Sequence, residues 1–271
     1  MAILNNQGTL LYTPQGGTQS SLISNTTVTE LNVTYGLEVS HAATPTEFVT
    51  GDTISYTVLL QNTGTGPLYN PFVTVEAGDA LDYQEGSAVA YLYANGTIAP
   101  IPVTVTQNSP LNFYFSGVLP AGGLIYLNYL SAVTAAAGDT VVSTATGAAN
   151  EGSATGPTIT DSDSTTITRT LLTVVKTAPT TAAVGDTISY QFAITNNATT
   201  PITLDGLNDQ LPEGFVFTGV TLVVDGVAVP LTEGVDYTVS STGLFQLNPS
   251  APVSIPAGAG AVLTLTGVVT L

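Results

Sequence analysis

GDTISYTVLLQN (Gly51–Asn62) returns later in the chain as GDTISYQFAITN (Gly185–Asn196). In both copies a Gly-Asp pair leads into a run where apolar residues alternate with polar ones. Ile54, Tyr56 and Val58 share one face of the first copy, and Ile188, Tyr190, Phe192 and Ile194 share one face of the second. A period of two marks a half-buried β-strand, and return of the whole block marks an internal repeat. The agreement continues on both sides. Asn62 and Pro67 return as Asn196 and Pro201. Val89–Ile98 (VAYLYANGTI) and Thr221–Val229 (TLVVDGVAV) carry Asn95-Gly96 and Asp225-Gly226 at matching places. Such dipeptides supply the positive φ angles of tight hairpins. Leu119-Pro120-Ala121-Gly122 returns as Ile255-Pro256-Ala257-Gly258, and no long stretch has helical periodicity. The pattern predicts an all-β chain: two tandem immunoglobulin-like β-sandwiches, residues 35–168 and 169–271, behind an N-terminal arm of residues 1–34.

The two copies are unequal. After its Pro-Ala-Gly turn the first runs through Tyr126–Val133 and continues with Thr140–Gly147 (TVVSTATG) and Ser164–Thr168 (STTIT). The second runs through Val262–Val269 and reaches Leu271 with no such continuation. The arm carries the matching residues. Asn6–Thr9 (NQGT) aligns with Ser143–Thr146 (STAT), and Ser24–Thr29 (SNTTVT) aligns with Asp163–Thr168 (DSTTIT). The arm therefore reads as the closing strands of a sandwich, carried at the front of the chain. A sandwich without its closing strands exposes an apolar groove and unpaired backbone N–H and C=O groups. The expected solution is donor-strand complementation, in which the arm fills the second domain of a neighbouring copy. Such a head-to-tail contact does not close on itself and generates a filament. Leu4, Asn6, Gly8, Leu10 and Tyr12 form the face expected to enter the groove, with Val28 contributed by the returning strand.

VGDTISYQFAITNNATTPI (Val184–Ile202) and DQLPEGFVFTGV (Asp209–Val220) resemble the bacterial surface-protein repeat known as "domain of unknown function 11", with its GDT-x-x-Y stretch, its Asn and its D-x-LP-x-G. LNNQGTLLYTP (Leu4–Pro14) resembles the closing strand of that repeat. The first copy departs from the pattern near EAGDALDYQE (Glu76–Glu85). The resemblance implies an immunoglobulin-like fold and a cell-surface setting. The short form with an arm is similar in logic to self-assembling spore appendages with N-terminal connectors.

Composition narrows the chemistry. The 271 residues include 19 acidic and two basic ones, Arg169 and Lys176, for a net charge of −17. That charge repels phosphate backbones and anionic lipid, which argues against nucleic acid and membrane partners. No apolar run reaches the length of a membrane span. Cysteine is absent, so neither a disulfide framework nor a thiolate site is available. The stretch MAILNNQGTLLYTPQGG does not read as a signal peptide, so an extracellular product would leave by another route. With His41 as the single histidine and no Trp, nothing assembles a catalytic set, and no enzyme activity or cofactor is expected. His41 is read as an exposed strand residue. Asp161 and Asp163, Asp79 with Asp82, and Asp205 with Asp209 are candidates for calcium, though none fits an EF-hand loop. The plainer reading is solvated turn residues.

Lys176 stands on the first strand of the second domain, at the position of His41 in the first. The arm expected to close that domain brings Asn5 and Asn6, where the first domain has Ser143. A Lys and an Asn held together beside a carboxylic acid can condense to an isopeptide bond. Lys176 and Asn6 are therefore a candidate pair, with Glu213, Asp205 and Asp209 as available acids. A solvated Lys that aids solubility is the plain alternative. The function expected from the whole is a structural subunit of an extracellular, self-assembling fibre whose partner is another copy of the same chain. The alternative is a surface adhesin or carbohydrate-binding module whose arm folds back on itself.

Overall fold

The repeated Gly-Asp pair opens the long strand of each sandwich by the same geometry. Gly51 and Gly185 both sit at φ 93°, in the region where a Cβ is strained. Their amides donate to the carbonyls of Val133 and Val269, each at 2.8 Å. The carboxylates of Asp52 and Asp186 accept the amides of Val49 and Ala183 at 2.8 and 2.7 Å. At the far end of each strand stands a fully buried Asn. Asn62 donates to the carbonyls of Gly66 and Leu119 and accepts the amide of Gly64. Asn196 donates to Thr200 and Ile255 and accepts Ala198. Each side chain ties a turn to a strand of the opposite sheet, which explains why the Asn recurs with the motif.

The computed structural model describes residues 2–107 and 110–270. The arm holds β1 (Ala2–Asn6), β2 (Thr9–Tyr12), β3 (Ser20–Ile23) and β4 (Thr27–Leu31). The first sandwich opens with β5 (Leu37–Thr44), β6 (Glu47–Phe48), β7 (Thr53–Asn62), β8 (Leu68–Glu76), β9 (Leu81–Tyr83) and β10 (Val89–Ala94). It continues with β11 (Thr97–Ile101), β12 (Val103–Gln107), β13 (Leu111–Phe115), β14 (Val118–Leu119), β15 (Leu124–Val133), β16 (Thr140–Glu151) and β17 (Thr158–Arg169). The second holds β18 (Leu172–Thr177), β19 (Thr187–Asn196), β20 (Ile202–Leu204), β21 (Leu207–Gln210) and β22 (Phe215–Val224), then β23 (Val227–Val229), β24 (Tyr237–Val239), β25 (Leu244–Leu247), β26 (Val253–Ile255) and β27 (Gly260–Val269). The architecture is two tandem immunoglobulin-like sandwiches preceded by an arm of strands.

In the first sandwich one sheet runs β11-β10-β15-β7-β5 and the other β12-β13-β8-β16-β17-β6. β16 is thus an interior strand, hydrogen-bonded to β8 on one side and β17 on the other. The second sandwich repeats the first sheet as β18-β19-β27-β22-β23. Of the other sheet it has β21-β25-β24 and, separately, β20-β26. Among the described residues no strand pairs along the outer edge of β21. The hydrophobic cores are separate: one gathers residues from Leu37 to Ile167, the other from Phe192 to Leu265. At the junction Arg169 donates to Thr50 and Ala137, lies over the Phe48 ring and pairs with Asp139 at 3.3 Å. Asp139 also accepts the amide and hydroxyl of Thr199.

Both hairpin dipeptides behave as their sequences demand, with Asn95 and Asp225 at φ 51° and 48° and Gly96 and Gly226 at 74° and 77°. Two expectations need correction. His41, expected to be exposed, is buried, because β16 and β17 cover the inner face of β5. The Asp161–Asp163 segment, read as solvated turn residues, lies inside β17, where alternation turns the two carboxylates inward.

Candidate assembly site

Every residue from Leu4 to Glu30 is exposed. Among the described residues the arm's strands pair only with one another, β1 with β4 and β2 with β3. Two-stranded sheets with no covered face are marginal in water, and these two together present Leu4, Leu10, Leu11, Leu22, Ile23 and Val28 to solvent. Alternation along β1 and β2 places Leu4, Asn6, Gly8, Leu10 and Tyr12 on one face. Leu10 lies opposite Leu22. The Gly8 carbonyl accepts the Ser24 amide, while Asn6 lies opposite Thr27. One extra residue is therefore taken up between Ser24 and Thr27, a bulge that changes the register. The shift puts Val28 opposite Asn5, on the face away from Leu4 and Asn6.

In the first sandwich β16 and β17 show what such strands do when docked. Val141, Ser143, Ala145, Gly147 and Ala149 point inward and are buried, and Val141 lies opposite Ile167. The sequence alignment sets Leu4, Asn6, Gly8, Leu10 and Tyr12 on those inward positions. Val28 falls at the place of Ile167.

The second sandwich is open where the first is covered. β5 alternates buried and exposed along its whole length, whereas each residue of the equivalent β18 is exposed. Val39 is 6% exposed, and Val174, its counterpart, 61%. Ile54 and Tyr56 are fully buried, while Ile188 and Tyr190 are half-buried. The result is a groove floored by Leu172, Val174, Ile188 and Tyr190 and bordered by the unpaired edge of β21.

Lys176 and Asp209 meet in this groove. Lys176 Nζ lies 2.6 Å from Asp209 Oδ1 and 4.9 and 5.1 Å from the ring centres of Tyr190 and Phe192. Asp209 Oδ2 is buried without a hydrogen-bond partner among the described residues. Registers fix the equivalences. Lys176 lies opposite Phe192 as His41 lies opposite Val58. Phe217 and Phe245 are ring neighbours at 5.9 Å, as are Tyr83 and Phe113. Asp209, opposite Phe245, thus takes the place of Val73, opposite Phe113. In the first sandwich His41 packs 5.5 Å from Tyr56, and its Nδ1 is 3.2 Å from the Ser143 carbonyl. Burial lowers the His41 pKa and raises that of Tyr56 to about 12. The candidate acids Asp205 and Glu213 are not partners of Lys176. The inward position of Asp209 was available in the sequence, since it shares a face with Leu207.

The calcium candidates have other work. Asp161 accepts the Val39 amide and Asp163 the His41 amide, both at 2.8 Å, so the two carboxylates stitch β17 to the edge of β5. Among the described residues no three His, Cys, Asp or Glu side chains converge as a metal cage.

No family model matches the sequence, and no curated protein does. Similar solved structures include the full-length major pilin SpaD from Corynebacterium diphtheriae, at 13% identity and TM-score 0.39, covering 78% of this chain and 49% of that one. The C-terminal domain of the Streptococcus pyogenes antigen I/II-family protein AspA has 12% identity and TM-score 0.38, over 87% of this chain and 92% of that one. The collagen-binding subdomain ACE19 of the Enterococcus faecalis surface protein ACE has 7% identity and TM-score 0.36, over 48% and 95%. At such distances function has to be read from this chain's own residues.

Proposed function

We propose that this chain is the structural subunit of an extracellular, surface-associated fibre, of the "domain of unknown function 11" kind, and that it polymerises head to tail by donor-strand complementation. The arm of one copy occupies the groove of the next, its β1–β2 strand lying along β21 where β16 lies along β8. The observation that supports this reading is the match between a hairpin with nothing covering it and a groove whose covered counterpart holds the equivalent hairpin. A large apolar side chain such as Leu10 gains about 1.5–3 kcal/mol when it leaves water. A strand of such residues adds a ladder of backbone hydrogen bonds, each worth about 1 kcal/mol net. An arm folded back into its own second domain would suit an adhesin, but the arm strands pair with each other and not with β21.

Negative-stain microscopy of the purified chain should show filaments. A chain lacking residues 1–34 should give none and remain a folded monomer, since among the described residues neither core uses one from the arm. Filaments from the truncated chain would refute donor-strand joining.

A further inference from the structure

We propose that the first sandwich binds a small aliphatic polyamine, in a cavity made by the segment where this copy leaves the repeat pattern. That segment is EAGDALDYQE (Glu76–Glu85). Glu76, Asp79, Asp82 and Tyr83 line the cavity from it, and Tyr129 lines it from β15. The cavity has a volume of about 670 Å³, within the roughly 300–1,000 Å³ of small-molecule sites. The inference goes beyond the fibre and does not depend on it, because none of these residues belongs to the arm or to the groove.

The segment is held in shape before any ligand arrives. Gly78 takes φ 59°, a value that favours glycine, at the start of a short 3-10 turn (Gly78–Ala80). Thr134 ties that turn to the end of β15. Its amide donates to the Ala80 carbonyl at 2.9 Å and its hydroxyl to the Asp79 carbonyl at 2.6 Å. β9 then pairs with β15, which sets Tyr83 opposite Ser131. A site ordered in advance loses less entropy on binding.

Two independent features define the ligand. Glu76, Asp79 and Asp82 are exposed at the rim, and the chain's two basic side chains are engaged elsewhere, Arg169 with Asp139 and Lys176 with Asp209. Deeper in, Tyr129 is 1% exposed, and neither its hydroxyl nor that of Tyr83 has a hydrogen-bond partner among the described residues. Buried hydroxyls are usually paired, and these two are acceptors that a ligand N–H can meet. An ammonium group suits both features, since it donates N–H and is drawn to aromatic faces. A calcium ion needs about six to eight close oxygens, and among the described residues these carboxylates do not converge as a cage. Charges spread around a rim call for more than one ammonium on a flexible apolar stem. The second sandwich has a recess with Glu213 and Glu233, but Phe217 stands there for Tyr83. Leu265 stands for Tyr129, lying opposite Tyr190 as Tyr129 lies opposite Tyr56. That recess lacks both phenol groups.

Isothermal titration of the full chain with spermidine tests this. The expected result is saturable binding at a single site. Glu76→Gln, Asp79→Asn and Asp82→Asn should each weaken it several-fold, as suits exposed charges, and the three together should abolish it. Asp205→Asn, the same charge change on the second sandwich, should leave it intact. Tyr83→Phe, which copies Phe217, should weaken binding while melting curves show the sandwich still folded. Absence of saturable binding overturns the site. Equal weakening by Asp205→Asn also overturns it, leaving only diffuse attraction to the net charge. Butanediol bound as well as spermidine would overturn the need for an ammonium group. Calcium bound with the same dependence on the three carboxylates, and displacing spermidine, would overturn the amine as the ligand.

Discussion

His41 and Lys176 occupy equivalent strand positions and meet opposite fates. His41 is enclosed by Tyr56, the Ser143 carbonyl and the Asp163 carboxylate that accepts its amide. Burial lowers its pKa from 6.5, against smaller opposing effects of Ser143 and Asp163. The unfolded chain therefore binds a proton here more readily than the folded chain. Stability is unaffected above the ordinary histidine value and falls as pH drops below it. We expect the melting temperature of the first sandwich to fall between about pH 7 and about pH 5, where histidine is the side chain that titrates. His41→Gln should flatten that slope. An unchanged slope would assign the acid sensitivity to carboxylates. The sequence showed that His41 and Lys176 are equivalent, but not that the first is buried, because burial comes from β16 and β17 far along the chain.

At the scale of elements the arm is a hairpin whose register is held by little else. Leu10 shares its face with Asn6 and Tyr12, and Thr9 faces the other way. In the joint, Leu10→Asp would force a carboxylate into an apolar groove at a cost on the order of 3 kcal/mol or more. We expect filament yield at a given concentration to collapse for Leu10→Asp and to fall only modestly for Thr9→Asp. The reverse order would place the register one residue away, since a one-residue slip exchanges the faces of a strand. The returning strand makes the same point. Val28 corresponds to Ile167, which lies opposite Val141, yet in the free arm it lies opposite Asn5. If the arm docks as proposed, β4 would slide by one residue, absorbing the bulge near Asn25 and Thr26.

At the scale of the molecule the net charge of −17 opposes association of every copy with every other. Self-repulsion of this kind acts through the solvent and is screened by salt. The screening length falls from about 30 Å at 10 mM to about 8 Å at 150 mM ionic strength. The proposed joint, apolar strand in apolar groove, would have little salt dependence of its own. Assembly followed by light scattering should therefore start sooner as salt rises over that range. Assembly slowed by salt would indicate an ion-paired joint in place of the one described.

The sequence by itself determined the repeated sandwich, the hairpin turns and the arm's likeness to β16 and β17. Each follows from local rules: period-two alternation, dipeptides that take positive φ, and a motif copied with its buried Asn. Tertiary structure alone decided what the inward positions touch. It buried His41, turned Asp161 and Asp163 from calcium candidates into acceptors for β5 amides, and chose Asp209 from three acids as the partner of Lys176. Those contacts join residues far apart in the chain and across two sheets. Alternation says which way a side chain points, but only the packing of the opposite sheet says what it meets.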